Sequence, residues 1–211
     1  MKKISILFIY TICLLQISFA QKEMNRWVFG DNAGLDFTNG IPVATISHTN
    51  AGYDGTCSIC DNNGHFLFYS DGANVWNGSN NLMPNGAGLF GNNGSGESAV
   101  AFRNPANPQL YYLFTTDLFT GSHGLCYSII DMTLHGGLGD VTTKNVSAFP
   151  NSSERMALVR NRNHTDAWIV AFDKVTDEMK AFAVTSSGVN MTPVISNVGT
   201  VNSGNTIGYF K

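Results

Sequence analysis

Three cysteines stand in the body of the chain: Cys57, Cys60 and Cys126. Cys57-Ser58-Ile59-Cys60 has the spacing of a metal knuckle, but a structural zinc needs two further ligands. Only Cys126 and scattered histidines could supply them. If residues 56–60 are extended, steps of about 3.3 Å per residue put the two α-carbons about 10 Å apart. That exceeds the roughly 7 Å reach of a disulfide. Small buried thiols are the favoured reading, ahead of a bridge from Cys126 to Cys57 or Cys60, with a metal site last. His48, His65, His123, His135 and His164 are far apart and form no i, i+4 pair, so each reads as a surface or turn histidine. Ser98 lies in Gly96-Glu97-Ser98-Ala99-Val100, which lacks the second glycine of a nucleophile elbow. No His-Glu-x-x-His, Gly-x-Ser-x-Gly or phosphate-binding loop occurs. The sequence therefore assigns no catalytic, cofactor-binding or metal-binding residue and implies no cofactor.

The carboxylates raise a second possibility. A glycoside hydrolase needs two of them flanking a cleft, and the chain has four glutamates and eleven aspartates, with Asp31, Asp54, Asp61 and Asp71 in Asp-Gly or Asp-Asn turn contexts. Ser70-Asp71-Gly72 followed by Trp76 approaches the Asp box of sialidase propellers, Ser-x-Asp-x-Gly-x-x-Trp. The contiguous Ser, Asp and Gly break that spacing, and even a true Asp box is structural: its Asp caps a turn and its Trp packs. Calcium binding by these turns lacks the twelve-residue EF-hand spacing, so turn capping is the favoured role.

These residues sit in an unusual polar background. Charged residues make up 13% of the chain, about half the ordinary share. Asn occurs 23 times and Gly 22 times, against 6 Pro, and the net charge is −3. There is no basic patch for a nucleic acid, and the composition is wrong for a coiled coil or helical bundle. Hydrophobic residues at 43%, with 11% aromatic, suffice for a core.

The elements that must position them read as all-β. Short runs rich in aromatic and β-branched residues, such as His65–Tyr69, Leu110–Phe114 and Trp168–Phe172, are each closed by turn residues. Asp61-Asn62-Asn63-Gly64 predicts a hairpin turn. Several runs are apolar on both faces, so their sheets must be covered on both sides. One segment competes: Asn151-Ser152-Ser153-Glu154 resembles a helix capping box. The pattern after it is too short for an independent helix, so 155–161 is expected to be a strand.

Lined up, the strands form trios: 56–60, 65–70 and 74–77; 98–103, 110–116 and 125–131; 155–161, 166–172 and 178–185. A further strand is expected at Thr206–Phe210. Repeats of about 40 to 50 residues with four strands each are the sign of a β-propeller. The predicted fold is a partial propeller of about three blades plus the start of a fourth, with a β-sandwich as the alternative. A ring that stops there is expected to continue in a longer protein or to self-associate through its open side. Trp27 and Trp76 are expected to be mostly buried between blades.

Trp27-Val28-Phe29-Gly30-Asp31-Asn32-Ala33-Gly34-Leu35-Asp36-Phe37 resembles the opening motif of the N-terminal WD40-like propeller region of large secreted Bacteroidetes proteins. Those proteins are associated with gliding motility or type IX secretion and carry PKD-like modules. Further matches follow in order: Leu67–Gly72 with Val75–Asn77, Leu82–Gly86, Leu110–Phe114, Tyr127–Met132, Gly136–Val141 with Lys144-Asn145, and Thr185–Val189. The resemblance implies a propeller exported across the inner membrane, with no catalytic residues.

The N-terminus agrees with export. Lys2 and Lys3 precede an apolar run, and Ser18-Phe19-Ala20 offers small residues at the two positions a signal peptidase reads. Cleavage is expected after Ala20, leaving 21–211 as a propeller-like domain with no later membrane span. The six Asn-x-Ser/Thr sequons, at Asn77, Asn93, Asn145, Asn151, Asn163 and Asn190, would matter only in a eukaryotic secretory pathway. Two functions fit: a secreted or cell-surface binding or scaffold domain for a protein or glycan, with loop aromatics such as Trp76 or Phe119 as contacts, or a carbohydrate-active hydrolase on the same scaffold.

Overall fold

The computed structural model describes residues 22–46 and 54–197. The expected signal segment 1–20 and the expected strand at 206–210 lie outside them, as does His48.

The described chain is all-β, in four separate antiparallel sheets whose main strands follow one another in chain order. Sheet 1 holds β1 (Arg26–Val28), β2 (Ala33–Asp36) and β3 (Val43–Ile46). Sheet 2 holds β4 (Cys57–Cys60), β5 (Phe66–Ser70), β6 (Asn74–Asn77) and β7 (Leu82–Ala87). Sheet 3 holds β8 (Ala99–Arg103), β9 (Leu110–Thr116), β10 (Leu125–Asp131) and β11 (Asp140–Phe149). Sheet 4 holds β12 (Ser152–Arg160), β13 (Ala167–Asp173) and β14 (Glu178–Thr185), with β15 (Gly188–Val189) and β16 (Val194–Asn197) both pairing β14.

The three trios expected from the sequence are the inner strands of sheets 2, 3 and 4. Each gains an outer strand that sequence reasoning missed. β7 contains Pro84, Asn85 and Gly86, the middle of β11 is polar, and all of β16 is exposed. β16 faces solvent, and β7 and β11 send only Met83, Val141 and Phe149 into the core, too few to make an apolar alternation. Sheet 1 is also additional. Its hairpin turns at Asp31 and Asn32, both at positive φ (56° and 62°), residue types that tolerate this conformation. The competition at 151–154 resolves as strand: Glu154 lies within β12, not at a helix start.

The sheets stack face to face. One face of sheet 3 (Ala101, Tyr111, Leu113, Ile130, Val141) packs on Phe68, Val75 and Met83 of sheet 2. Its opposite face (Phe102, Tyr112, Phe114, Leu125, Phe149) packs on Ile169, Ala171, Phe182 and Val184 of sheet 4. A sheet covered on both sides by its chain neighbours is the layering of propeller blades, and it explains strands that are apolar on both faces. A two-layer sandwich leaves one face of each sheet to solvent.

A structural repeat caps the second strand of every sheet. Asp36, Asp71, Asp117 and Asp173 stand at equivalent positions. The Oδ1 atoms accept from Thr38 N (2.8 Å), from Ala73 N and Asn74 N (2.9 and 2.7 Å), from Leu118 N (2.8 Å), and from Val175 N and Thr176 N (2.9 and 3.2 Å). Short carboxylates that bond the backbone one to three residues on are the chemistry of tight turns. After Asp71 the chain needs a left-handed residue, and Gly72 supplies it at φ +88°. A Cβ there would lie 2.7 Å from the Ser98 carbonyl oxygen, so this turn also meshes with sheet 3.

Candidate functional site

The first strands β1, β4, β8 and β12 run side by side, and together they line a groove of about 610 Å³. Lateral hydrogen bonds tie the first three. Thr56 Oγ1 donates to Val28 O at 2.5 Å, Ser58 Oγ donates to Arg26 O at 2.7 Å, and Ser98 Oγ donates to Gly55 O. Ser98 therefore has a buried structural role rather than that of a nucleophile poised in the groove. Sheets 3 and 4 exchange carboxylates. Glu97 Oε2 accepts from Met156 N at 2.5 Å, while Glu154 accepts from Gly96 N at 3.0 Å and Phe119 N at 2.8 Å. Burial pushes the Glu97 carboxyl above its ordinary range, against the opposing pull of the Met156 N–H and the Arg155 charge.

One end of this strand row is held by Glu23. Its carboxylate meets Arg160 at 2.7 Å and Arg103 at 3.5 Å. These arginines end β12 and β8, so the 3-10 turn Lys22–Met24 spans sheets 3 and 4. Both pairs are partly solvated, and each contributes about 1 kcal/mol or less.

The groove wall from sheet 1 corrects an expectation. Trp27 is 42% exposed, not buried, and Phe29 beside it is 43% exposed. β1 has only three residues and closes its sheet against β2, so among the described residues no second layer covers the indole. The ring is held in place all the same. Its Nε1 donates to Met24 O at 2.9 Å, Phe37 packs against it at 5.1 Å, and Phe29 meets it edge-on at 6.4 Å and 80°. Trp76 is half-buried and stacks on Tyr69 at 5.4 Å and 13°, and Tyr69 stacks in turn on Phe66. Phe119 lies under Lys174, whose Nζ is 5.3 Å from the ring centre and donates to the Phe119 carbonyl. Trp76 and Phe119, expected as ligand contacts, pack within the fold, while Trp27, expected in the packing, faces the groove.

The other chemistry-bearing residues do not converge. Cys60 and Cys126 are buried and Cys57 half-buried, all as free thiols. Desolvation pushes Cys57 up to about 12 and Cys126 to about 11, and raises Cys60 as well. No group of three or more His, Cys, Asp or Glu side chains able to hold a metal occurs among the described residues. His65, His123 and His135 each pair with a nearby aspartate, Asp61, Asp117 and Asp140, at 3.0 to 3.1 Å. The His123 ring also stacks on Phe90 at 3.9 Å. His164 sits at a turn with φ 60°. Asp71 is buried, one carboxylate oxygen has no hydrogen-bond partner, and desolvation raises its carboxyl. No helix among the described residues is long and apolar enough to cross a membrane.

Comparison with protein-family models, with curated proteins and with solved structures finds no match to this chain.

Proposed function

We propose that this chain is the binding or scaffold domain of an exported protein, secreted or held at the cell surface, and that it takes a protein or glycan ligand in the groove between its four first strands. The observation that carries this reading is the exposure of Trp27 and Phe29 at 42% and 43% in a concave site walled by the other three sheets. Exposed aromatics anchored by their own hydrogen bonds and ring contacts present contact area at little cost in ordering. Export is supported by the Lys2-Lys3, apolar and Ser18-Phe19-Ala20 sequence, and the Bacteroidetes surface-protein setting by the ordered motif matches. The low positive charge argues against a nucleic-acid ligand. The open outer face of sheet 4, with Val159 at 52% and Val194 at 57% exposed, is the surface for self-association. Light scattering on residues 21–211 should then show a concentration-dependent dimer.

Screening residues 21–211 against peptide and glycan arrays should return ligands whose binding is lost in Trp27→Ala and kept in Trp76→Ala. The opposite pattern overturns the groove assignment. A second reading, a carbohydrate-active hydrolase, is favoured by Asp54 and Glu97 lining the same groove. Release of reducing sugar from a bound glycan, abolished in Glu97→Gln, would replace the binding reading with the hydrolytic one.

A further inference from the structure

The groove differs from a sugar site in what it can donate. Among the described residues that line it, the charged side chains are the carboxylates Asp54 and Glu97, and none is Lys, Arg, His, Asn, Gln or Tyr. Of the groups there able to donate, the Thr56 and Ser58 hydroxyls are given to carbonyls of β1, and the Trp27 indole N–H to Met24 O. The rest of the wall is aliphatic or aromatic, from residues such as Ile59, Val100 and Leu158. A sugar hydroxyl both donates and accepts, and sites that hold sugars supply both partners. The described side chains of this groove supply acceptors and apolar surface and almost no free donor. A ligand that matches these side chains has an apolar stem and a head that donates to the carboxylates. Arg155 lies close enough to Glu97 to ease its ionisation but is not part of the lining.

We infer that the groove receives a cationic side chain, lysine or arginine, of an extended protein segment, with the methylene stem against Trp27 and Phe29 and the charged head at the Glu97 and Asp54 carboxylates. This rests on the groove being the binding site, and it chooses protein over glycan. The stem-and-head division follows how lysine and arginine partition between apolar surface and polar partners. Glu97 is oriented for the task by its bond from Met156 N, which spends one carboxylate oxygen.

The test uses residues 21–211 and three tripeptides, each acetylated and amidated at its ends: Leu-Lys-Leu, Leu-acetyllysine-Leu and Leu-Gln-Leu. Binding is followed at the Trp27 indole N–H resonance, with cellohexaose and chitohexaose titrated in parallel. Leu-Lys-Leu should shift that resonance saturably, at least tenfold more tightly than either neutral peptide. Asp54→Asn and Glu97→Gln should each weaken it about fivefold or more, with Glu97→Gln keeping an acceptor for Met156 N–H and hence the fold. Raised salt should weaken the lysine peptide and leave the neutral ones unchanged. Equal binding of the neutral peptides, or indifference to both carboxylate variants, overturns the cationic class. Saturable shifts by an oligosaccharide alone overturn it too, but leave the groove as the site. If no probe moves Trp27 while other resonances shift, the groove reading falls with it.

Discussion

Glu97 and Glu154 hold sheets 3 and 4 together by reciprocal bonds: Glu97 accepts the backbone N–H of Met156 at 2.5 Å, and Glu154 accepts that of Gly96 at 3.0 Å. Glu154 also takes Phe119 N–H at 2.8 Å. Each carboxylate reaches the backbone beside the other, so the pair fixes the register of β8 against β12 at the groove wall.

Glu154→Ala removes the acceptor from two part-buried amides at once. Hydrogen bonds to a charged group contribute about 1.5–3 kcal/mol each, with the lower end fitting partial burial, so a loss of about 3 kcal/mol is expected. Glu154→Gln, which keeps one carbonyl, should lose roughly half of that. Urea unfolding would show it as a lower midpoint with an unchanged slope; no shift in midpoint would refute the clamp.

Asp173 and Lys180 make a buried pair at 2.5 Å, with side chains 3% and 16% exposed. Desolvation raises the Asp173 carboxyl, but the Lys180 bond and the N–H groups of Val175 and Thr176 outweigh it, and the net shift is downward. A depressed carboxyl stabilises the fold above its unfolded value, near 3.9, and that contribution is lost as pH falls through the lower folded value. Lys180→Met leaves the carboxylate buried without its cation and should cost about 3 kcal/mol at pH 7. It should also flatten the acid limb of stability against pH. An unchanged limb would mean that Asp173 is not depressed.

The thiols are expected to be silent in the native state. With Cys57 near 12 and Cys126 near 11, almost no thiolate exists at pH 8, and the thiolate is the reactive form. Iodoacetamide should leave folded 21–211 unmodified over a period in which the guanidinium-unfolded protein takes three labels by mass spectrometry. Native labelling at the rate of a free thiol would contradict the burial.

Two aromatic truncations should separate core from groove. Phe114 is fully buried between sheets 3 and 4, and Phe114→Ala should cost about 3–5 kcal/mol. Trp27→Ala loses mainly the ring contacts to Phe37 and Phe29 and should cost about 1 kcal/mol. Equal losses in thermal unfolding would return Trp27 to the core.

Strand type and turn position were written locally. Leu110–Thr116 and Ala167–Asp173 are legible because apolar and β-branched residues run together and stop at turn formers, and Asp36, Asp71, Asp117 and Asp173 cap their turns with neighbours one to three residues away. The outer strands β7, β11 and β16 were not legible, because a strand that sends few or no side chains into the core needs no apolar pattern and is made a strand by pairing with its neighbour. The groove was beyond local reading for a different reason. Trp27, Asp54, Glu97 and Leu158 are separated by tens of residues and meet only because four first strands lie side by side. Burial is a property of what the other sheets cover, so the same composition that suggested a packed Trp27 permitted an exposed one. The tertiary stack decided it: sheet 3 is covered on both faces, whereas the short β1 leaves its indole facing the groove.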